Sequence, residues 1–180
     1  MVFTQEASEE PPSSPPIQSK SDIAALDPFF FEAFVAYWFS LKGGHVYITP
    51  STNDAGVDVL SISPESIDFI QVKHVSRPGK KIDPAAIQEI RNGADHYMSS
   101  VLPPALRSRP KKLWVVTNGK ASSRFERDAT EHDIRFVGGN ELVREAKNSD
   151  VRQADISTIQ AARSTSLQDL RSEIARLASD

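Results

Sequence analysis

Asp58, Gln71 and Lys73 stand in two short, otherwise apolar segments, VDVLSIS (57–63) and IDFIQVKHV (67–75). Pro64-Glu65-Ser66 lies between them as a turn signal, so the pair reads as a hairpin. Side chains alternate faces along a strand. Gln71 and Lys73 therefore point one way, and Ile70, Val72 and His74 the other. Closing the hairpin brings a carboxylate, an amide and an ammonium to one sheet edge, a set suited to a divalent cation and an anionic substrate. Asp58 offers hard anionic oxygen, Gln71 a neutral oxygen and Val72 its backbone carbonyl. An ion held there acidifies its bound water and neutralises charge on a phosphate. Lys73 would orient or help deprotonate that water, or stabilise developing negative charge. Glu32, inside the apolar stretch FFFEAF, is a further carboxylate expected to reach such an ion through water.

These residues need a scaffold, and the chain around them supplies one. SDIAALDPFFFEAFVAYWFSLKGG (21–44) predicts a helix capped by Asp27, opened by Pro28 and stopped by Gly43-Gly44. Phe30, Phe34, Tyr37 or Trp38, and Leu41 form its apolar face. HVYITP (45–50) predicts a strand ahead of the hairpin. Residues 83–98 repeat the Asp-Pro helix start, and KLWVVTN (112–118) reads as a buried strand. Ser123 and Glu126 match a capping box, DIRFVGG (133–139) is a short strand, and Asn140 caps a short helix. The order is an α/β sandwich, a central mixed sheet flanked by helices, with an early hairpin and later crossover strands. Gln88 and Glu89, on the helix after the hairpin, are candidates to face the site, against ordinary exposure.

Around this domain, taken as 21–150, residues 1–20 are rich in Pro, Ser and Glu and are expected to form a disordered tail. Residues 151–180 read as a C-terminal amphipathic helix with the stripe Ile159, Leu167, Leu170, Ile174 and Leu177. That stripe is expected to pack on the domain, or to join a second copy or another protein.

The chain has 180 residues and a net charge of -3, yet residues 71–120 carry ten basic against three acidic side chains. Such a basic centre in an acidic chain suggests an anion-binding face. Arg77, Lys80 and Lys81 in one loop, with Arg107, Arg109, Lys111 and Lys112 in another, are its candidate contacts. Cysteine is absent, which excludes disulfides, thiolate zinc sites and cysteine nucleophiles. No apolar run approaches a membrane span, and the N-terminus lacks a signal-peptide pattern. A cytoplasmic location is the expectation. The histidines at 45, 74, 96 and 132 show no ligand spacing. VTNGKASS around Gly119 has the look of an anion-cradling turn, but a plain strand-to-helix connection is the simpler reading.

Taken singly, Asp58 fits a satisfied hairpin acid and Lys73 a surface lysine. Together, GVDV followed by QVK resembles the PD-(D/E)XK nuclease superfamily, and within it the Mrr-like restriction endonuclease domains. FFFEAFVAYWFSLKGG and LWVVTNGKASSRFERDATEHDIRFVGGNELV extend the likeness from about Pro28 to Ala146. The resemblance implies Asp58, Gln71 and Lys73 as the catalytic set, Glu32 as accessory, and Mg²⁺ as cofactor with Mn²⁺ able to substitute. It also implies DNA as substrate and restriction or defence as setting. The scarcity of aromatic residues for base stacking outside the first helix argues for duplex over single-stranded DNA. Gln71 stands where the superfamily commonly has an acid, which removes one negative charge from the site. The competing reading is thus a weak or inactive nuclease fold that binds nucleic acid or scaffolds a complex.

Overall fold

The computed structural model describes residues 14–52, 55–77 and 79–179. Helix α1 (Lys20–Ala25) leads into α2 (Pro28–Ser40), where Asp27 Oδ1 accepts from Phe30 N at 3.0 Å and Pro28 opens the first turn. Strands β1 (His45–Ile48), β2 (Val59–Ile62) and β3 (Ile67–Lys73) form an antiparallel meander. Helix α3 (Ala85–His96), extended by a π-helical turn at Tyr97–Val101, crosses to β4 (Lys111–Thr117). Helix α4 (Ser123–Glu131) crosses to β5 (Ile134–Val137), and α5 (Gly139–Asn148) follows. The sheet order is β1-β2-β3-β4-β5, with β3, β4 and β5 parallel. It is the mixed, helix-flanked α/β sheet that the alternation and cap signals predict.

Strand alternation divides the core into two layers, one on each face of the sheet. Leu60, Phe69, Leu113 and Val115 pack with Ile87, Ile90 and Tyr97 of α3 and its extension. Val59, Ile70, Val72, Trp114 and Val116 pack with Phe31, Phe34 and Trp38 of α2. The expected stripe on α2 is corrected in one respect. Phe31, Val35 and Phe39 are buried as well as Phe34 and Trp38, because α2 lies between the sheet and a later helix, while Leu41 at its end is exposed. A helix covered on two sides needs apolar residues nearly all round.

Two caps shift by a residue or two. Ser122, not Ser123, accepts from Phe125 N at 3.1 Å. Helix α5 begins at Gly139 after Gly138, so Asn140 sits inside its first turn.

The ends of the domain also differ from expectation. Residues 1–13 of the expected tail lie outside the described residues, but Pro16 bridges Arg152 and Ile17 is buried, its N–H donating to Val151 O at 2.8 Å. The segment 151–180 forms two helices, α6 (Gln153–Ala161) and α7 (Leu167–Leu177), broken between them where Ser166 caps the second. Helix α6 packs on α2 and buries Ile156 in one layer. Leu170 and Ile174 of α7 are buried in the other layer, across the sheet. One continuous helix could not reach both faces. Of the apolar stripe, Leu170 and Ile174 are thus buried within the chain, while Ile159, Leu167 and Leu177 are half-buried. Among the described residues no helix is long and apolar enough to cross a membrane.

Candidate active site

The β2–β3 ladder ends at Val59 opposite Ile70. Asp58 still donates its N–H to Ile70 O at 2.9 Å, and its carboxylate accepts the Val72 N–H at 2.6 Å. The side chain thus takes a donor that faces no β2 carbonyl, which ties Asp58 to the middle of the QVK segment. A buried or half-buried N–H without a partner is costly, so this bond also holds the carboxylate in place.

Gln71 and Lys73 share the α3 face of β3, as alternation requires, and meet a third residue there. Gln71 Nε2 donates to Glu89 Oε2 at 2.5 Å, and Lys73 Nζ donates to the same oxygen at 2.6 Å. The bond to the Lys73 ammonium comes first among the causes that hold the Glu89 carboxyl below its ordinary range, with the Gln71 bond adding to it and partial burial opposing. Asp58, Gln71, Val72, Lys73 and Glu89, with Ala55, Gly56 and Asn92, line an open cleft of about 380 Å³.

Backbone packing explains how Glu89 arrives. A Cβ added at Gly93 would lie 2.5 Å from Ala55 O, so only glycine lets the loop before Asp58 rest against α3. One turn earlier, Gly56 adopts φ 84° and lies against the Glu89 backbone. The loop that delivers Asp58 and the helix that delivers Glu89 are thereby locked together.

Gln71 is 2% exposed, and its Oε1 is buried without a hydrogen-bond partner. Such an orphaned oxygen beside a carboxylate is the donor type a hard cation takes up. Among the described residues no three Asp, Glu, His or Cys side chains gather as a ligand set. The donors that fit an ion here are the Asp58 carboxylate, Gln71 Oε1, the Val72 carbonyl and the Glu89 carboxylate.

Other expected residues lie elsewhere. Glu32 is not among the cleft-lining residues. Its Oε2 accepts from Arg163 Nη2 at 2.6 Å, and the pair is largely buried. Gln88 donates to Asn92 on the exposed side of α3. The His74 ring packs on Phe31 at 5.4 Å, on the face away from Lys73.

The basic residues separate into two groups. Arg77, Lys80 and Lys81 are exposed on the loop after β3, which pairs with the turn after β4 through Lys81 and Lys120. Arg107, Arg109, Lys111 and Lys112 lie at the other end of the sheet, where Lys111 pairs with Ile67 while Lys73 pairs with Thr117. Six residues of strand make that separation about 20 Å. Three of those side chains have local partners: Arg107 bonds Leu102 O, Arg109 bonds Ser63 O and Lys111 bonds Asp95. The single basic face expected from the sequence is corrected to two, because β3 and β4 run parallel.

Glu89 was legible only as one of two candidates. Helical spacing sets it three residues after buried Ala86 and four before Gly93, on the edge of the buried stripe. Glycine at 93 was the available signal that something approaches that edge.

Comparison with known proteins agrees with this architecture. The family model of the Mrr catalytic domain, described as a restriction endonuclease, matches residues 23–146. Among solved structures, the chain is similar to MspJI restriction endonuclease in complex with a 27-mer oligonucleotide. The TM-score is 0.51 at 16% identity, over 80% of this chain and 35% of that one. The chain thus spans about a third of that enzyme's length. It is also similar to the crystal structure of AF1548, a protein of unknown function, with TM-score 0.45 and 16% identity, over 85% of this chain and 97% of that one. A search of curated proteins finds no match. With the matched region covering well over half of its length, the chain belongs to the Mrr-type restriction endonuclease family.

Proposed function

We propose that the protein is a metal-dependent endonuclease that hydrolyses phosphodiester bonds in double-stranded DNA, with Asp58, Gln71, Lys73 and Glu89 as its working residues. The observation that carries this reading is the Glu89 carboxylate, which touches both Gln71 and Lys73. It returns to the site the negative charge that glutamine at position 71 withholds. A retired site has no need of a lysine ammonium held in register by a helix carboxylate, which weighs against a binding-only module.

Mg²⁺, or Mn²⁺ in its place, would sit between Asp58, Gln71 Oε1, the Val72 carbonyl and Glu89. It would supply a more acidic water and charge neutralisation at the phosphate. The chain's own residues do the rest. The Val72 N–H fixes the Asp58 carboxylate. Glu89 holds Lys73 at the cleft mouth, where its ammonium orients the attacking water or faces charge building on the phosphate oxygens. Arg77, Lys80 and Lys81, at the same sheet end, hold the backbone of the duplex with little sequence preference. Cutting both strands takes either two such sites, supplied by a second copy, or two successive nicks by one. Restriction or defence against foreign DNA is the setting that suits a nuclease of this family.

The test is cleavage of supercoiled plasmid in Mg²⁺ and in Mn²⁺ by wild type, Asp58→Ala and Lys73→Ala. Nicking or linearisation by wild type alone supports the reading. DNA binding without metal-dependent cleavage in any of the three would replace it with a binding module.

A further inference from the structure

Arg163 lies beyond the family-matched residues 23–146, yet it reaches the strand next to Asp58. Its Nη1 donates to Thr49 O at 3.1 Å. Thr49 is 1% exposed, and its hydroxyl donates to Val57 O at 2.7 Å and to Asp58 O at 3.1 Å, while its N–H donates to Asp58 O at 3.0 Å. The next residue of the chain, Ser164, donates its N–H to Ile48 O at 3.2 Å. β1 is an edge strand that ends at Ile48, and the chain leaves it through Thr49, so the carbonyls of both residues draw on partners outside the sheet ladder. The turn after α6 takes both of them.

Glu32 completes the arrangement. Arg163 Nη2 donates to Glu32 Oε2 at 2.6 Å and to Gln160 Oε1 at 3.1 Å, with side-chain exposures of 13% for Arg163 and 17% for Glu32. A guanidinium this covered needs a counter-charge, and a fixed one keeps its planar fork aimed at Thr49 O. The Phe29 ring lies 5.2 Å from the guanidinium carbon and closes the other side.

We propose that Arg163 is a positioning residue for Asp58, acting through Thr49, and that Glu32 serves as its counter-ion. The inference rests on Asp58 being the site carboxylate. The peptide of Asp58 is pinned on one side by Thr49 and on the other by Ile70 O. Release Thr49, and the carboxylate loses its fixed distance to the Val72 N–H and to Gln71. The segment after α6 therefore belongs to the site although it contributes no atom to the cleft.

The Val72 amide reports directly on this link, because Asp58 is its acceptor. Hydrogen exchange at Val72, referenced to Val115 in the middle of β4, is measured on the full chain for wild type, Arg163→Ala, Arg163→Lys and Thr49→Val. Mn²⁺ is then titrated by thermal shift. In Arg163→Ala the Val72 amide is expected to exchange roughly tenfold faster relative to Val115. The Mn²⁺ midpoint is expected to rise about 10- to 100-fold. Arg163→Lys should fall between wild type and Arg163→Ala.

A lower melting temperature in Arg163→Ala with unchanged relative Val72 exchange and unchanged midpoint would overturn the inference, leaving Arg163 as a plain tether of α6. If Arg163→Ala does not fold, Thr49→Val reads the same link, and unchanged Val72 exchange there overturns it equally. Wild type without a saturable Mn²⁺ response would sink the metal-site reading instead, while the exchange ratios still decide whether Arg163 holds Asp58.

Discussion

Lys73 and Glu89 meet at 2.6 Å although 16 positions separate them and they belong to different elements, one on β3 and the other on α3. Glu89 accepts from Gln71 through the same oxygen. Removing Glu89 thus leaves an amide and an ammonium facing the cleft together. Glu89→Ala is expected to lower the plasmid-nicking rate by about 10²-fold or more. Rates at saturating Mg²⁺ for wild type and Glu89→Ala check this, and equal rates would remove Glu89 from the site.

The same contact has a pH signature. The folded-state Glu89 carboxyl is held below its ordinary value of 4.5, chiefly by the bond to Lys73. Its stabilising contribution is therefore fully present above that ordinary value and is lost as pH falls toward the lower folded-state value. The difference in melting temperature between wild type and Glu89→Gln should stay constant near neutrality and shrink below about pH 4.5. A difference that grows on acidification would contradict the assignment.

Gln71 and Glu89 can be tested as a coupled pair. Gln71→Glu alone sets two carboxylates where an amide now donates at 2.5 Å, and should destabilise the fold by about 1–3 kcal/mol. Adding Glu89→Gln restores one donor and one acceptor, and should recover most of that loss. Denaturant melts of both single variants and the double variant close the cycle. Additive effects would show that the two residues do not interact.

The two basic groups should behave differently with DNA. Arg77→Ala, Lys80→Ala and Lys81→Ala are each expected to weaken duplex binding and to lower the salt slope by about one. Lys111→Ala removes an exposed pair with Asp95 about 20 Å away and should leave both affinity and slope nearly unchanged. Filter binding across a salt series separates these outcomes.

Helix α7 should prove to be part of the domain's core. Ile174 is fully buried. Ile174→Ala is expected to cost about 2–5 kcal/mol in a urea or guanidinium melt. A cost near zero would mean that α7 does not pack on the sheet as described.

Much of this protein follows from local rules. The Asp27-Pro28 start of α2, the hairpin between β2 and β3, and the common face of Gln71 and Lys73 all depend on residues close together in the chain. Caps, turn residues and strand alternation act over a few positions, so they can be read in order. The pairing of Asp58 with the QVK segment is of the same kind, because one short turn brings the two strands together.

What the tertiary structure decided lies at longer range. Glu89, rather than Gln88, faces the cleft because the Ala55 backbone rests on Gly93 of α3. Glu32 bonds Arg163 because α6 packs on α2. The run of basic residues splits because parallel pairing sends Lys111 and Lys73 to opposite ends of adjoining strands. The apolar positions after residue 150 divide between both faces of the sheet, since a break after α6 lets the chain cross the edge at β1. Each of these outcomes depends on how elements distant in the sequence are brought together, and sequence spacing alone carries no measure of that approach.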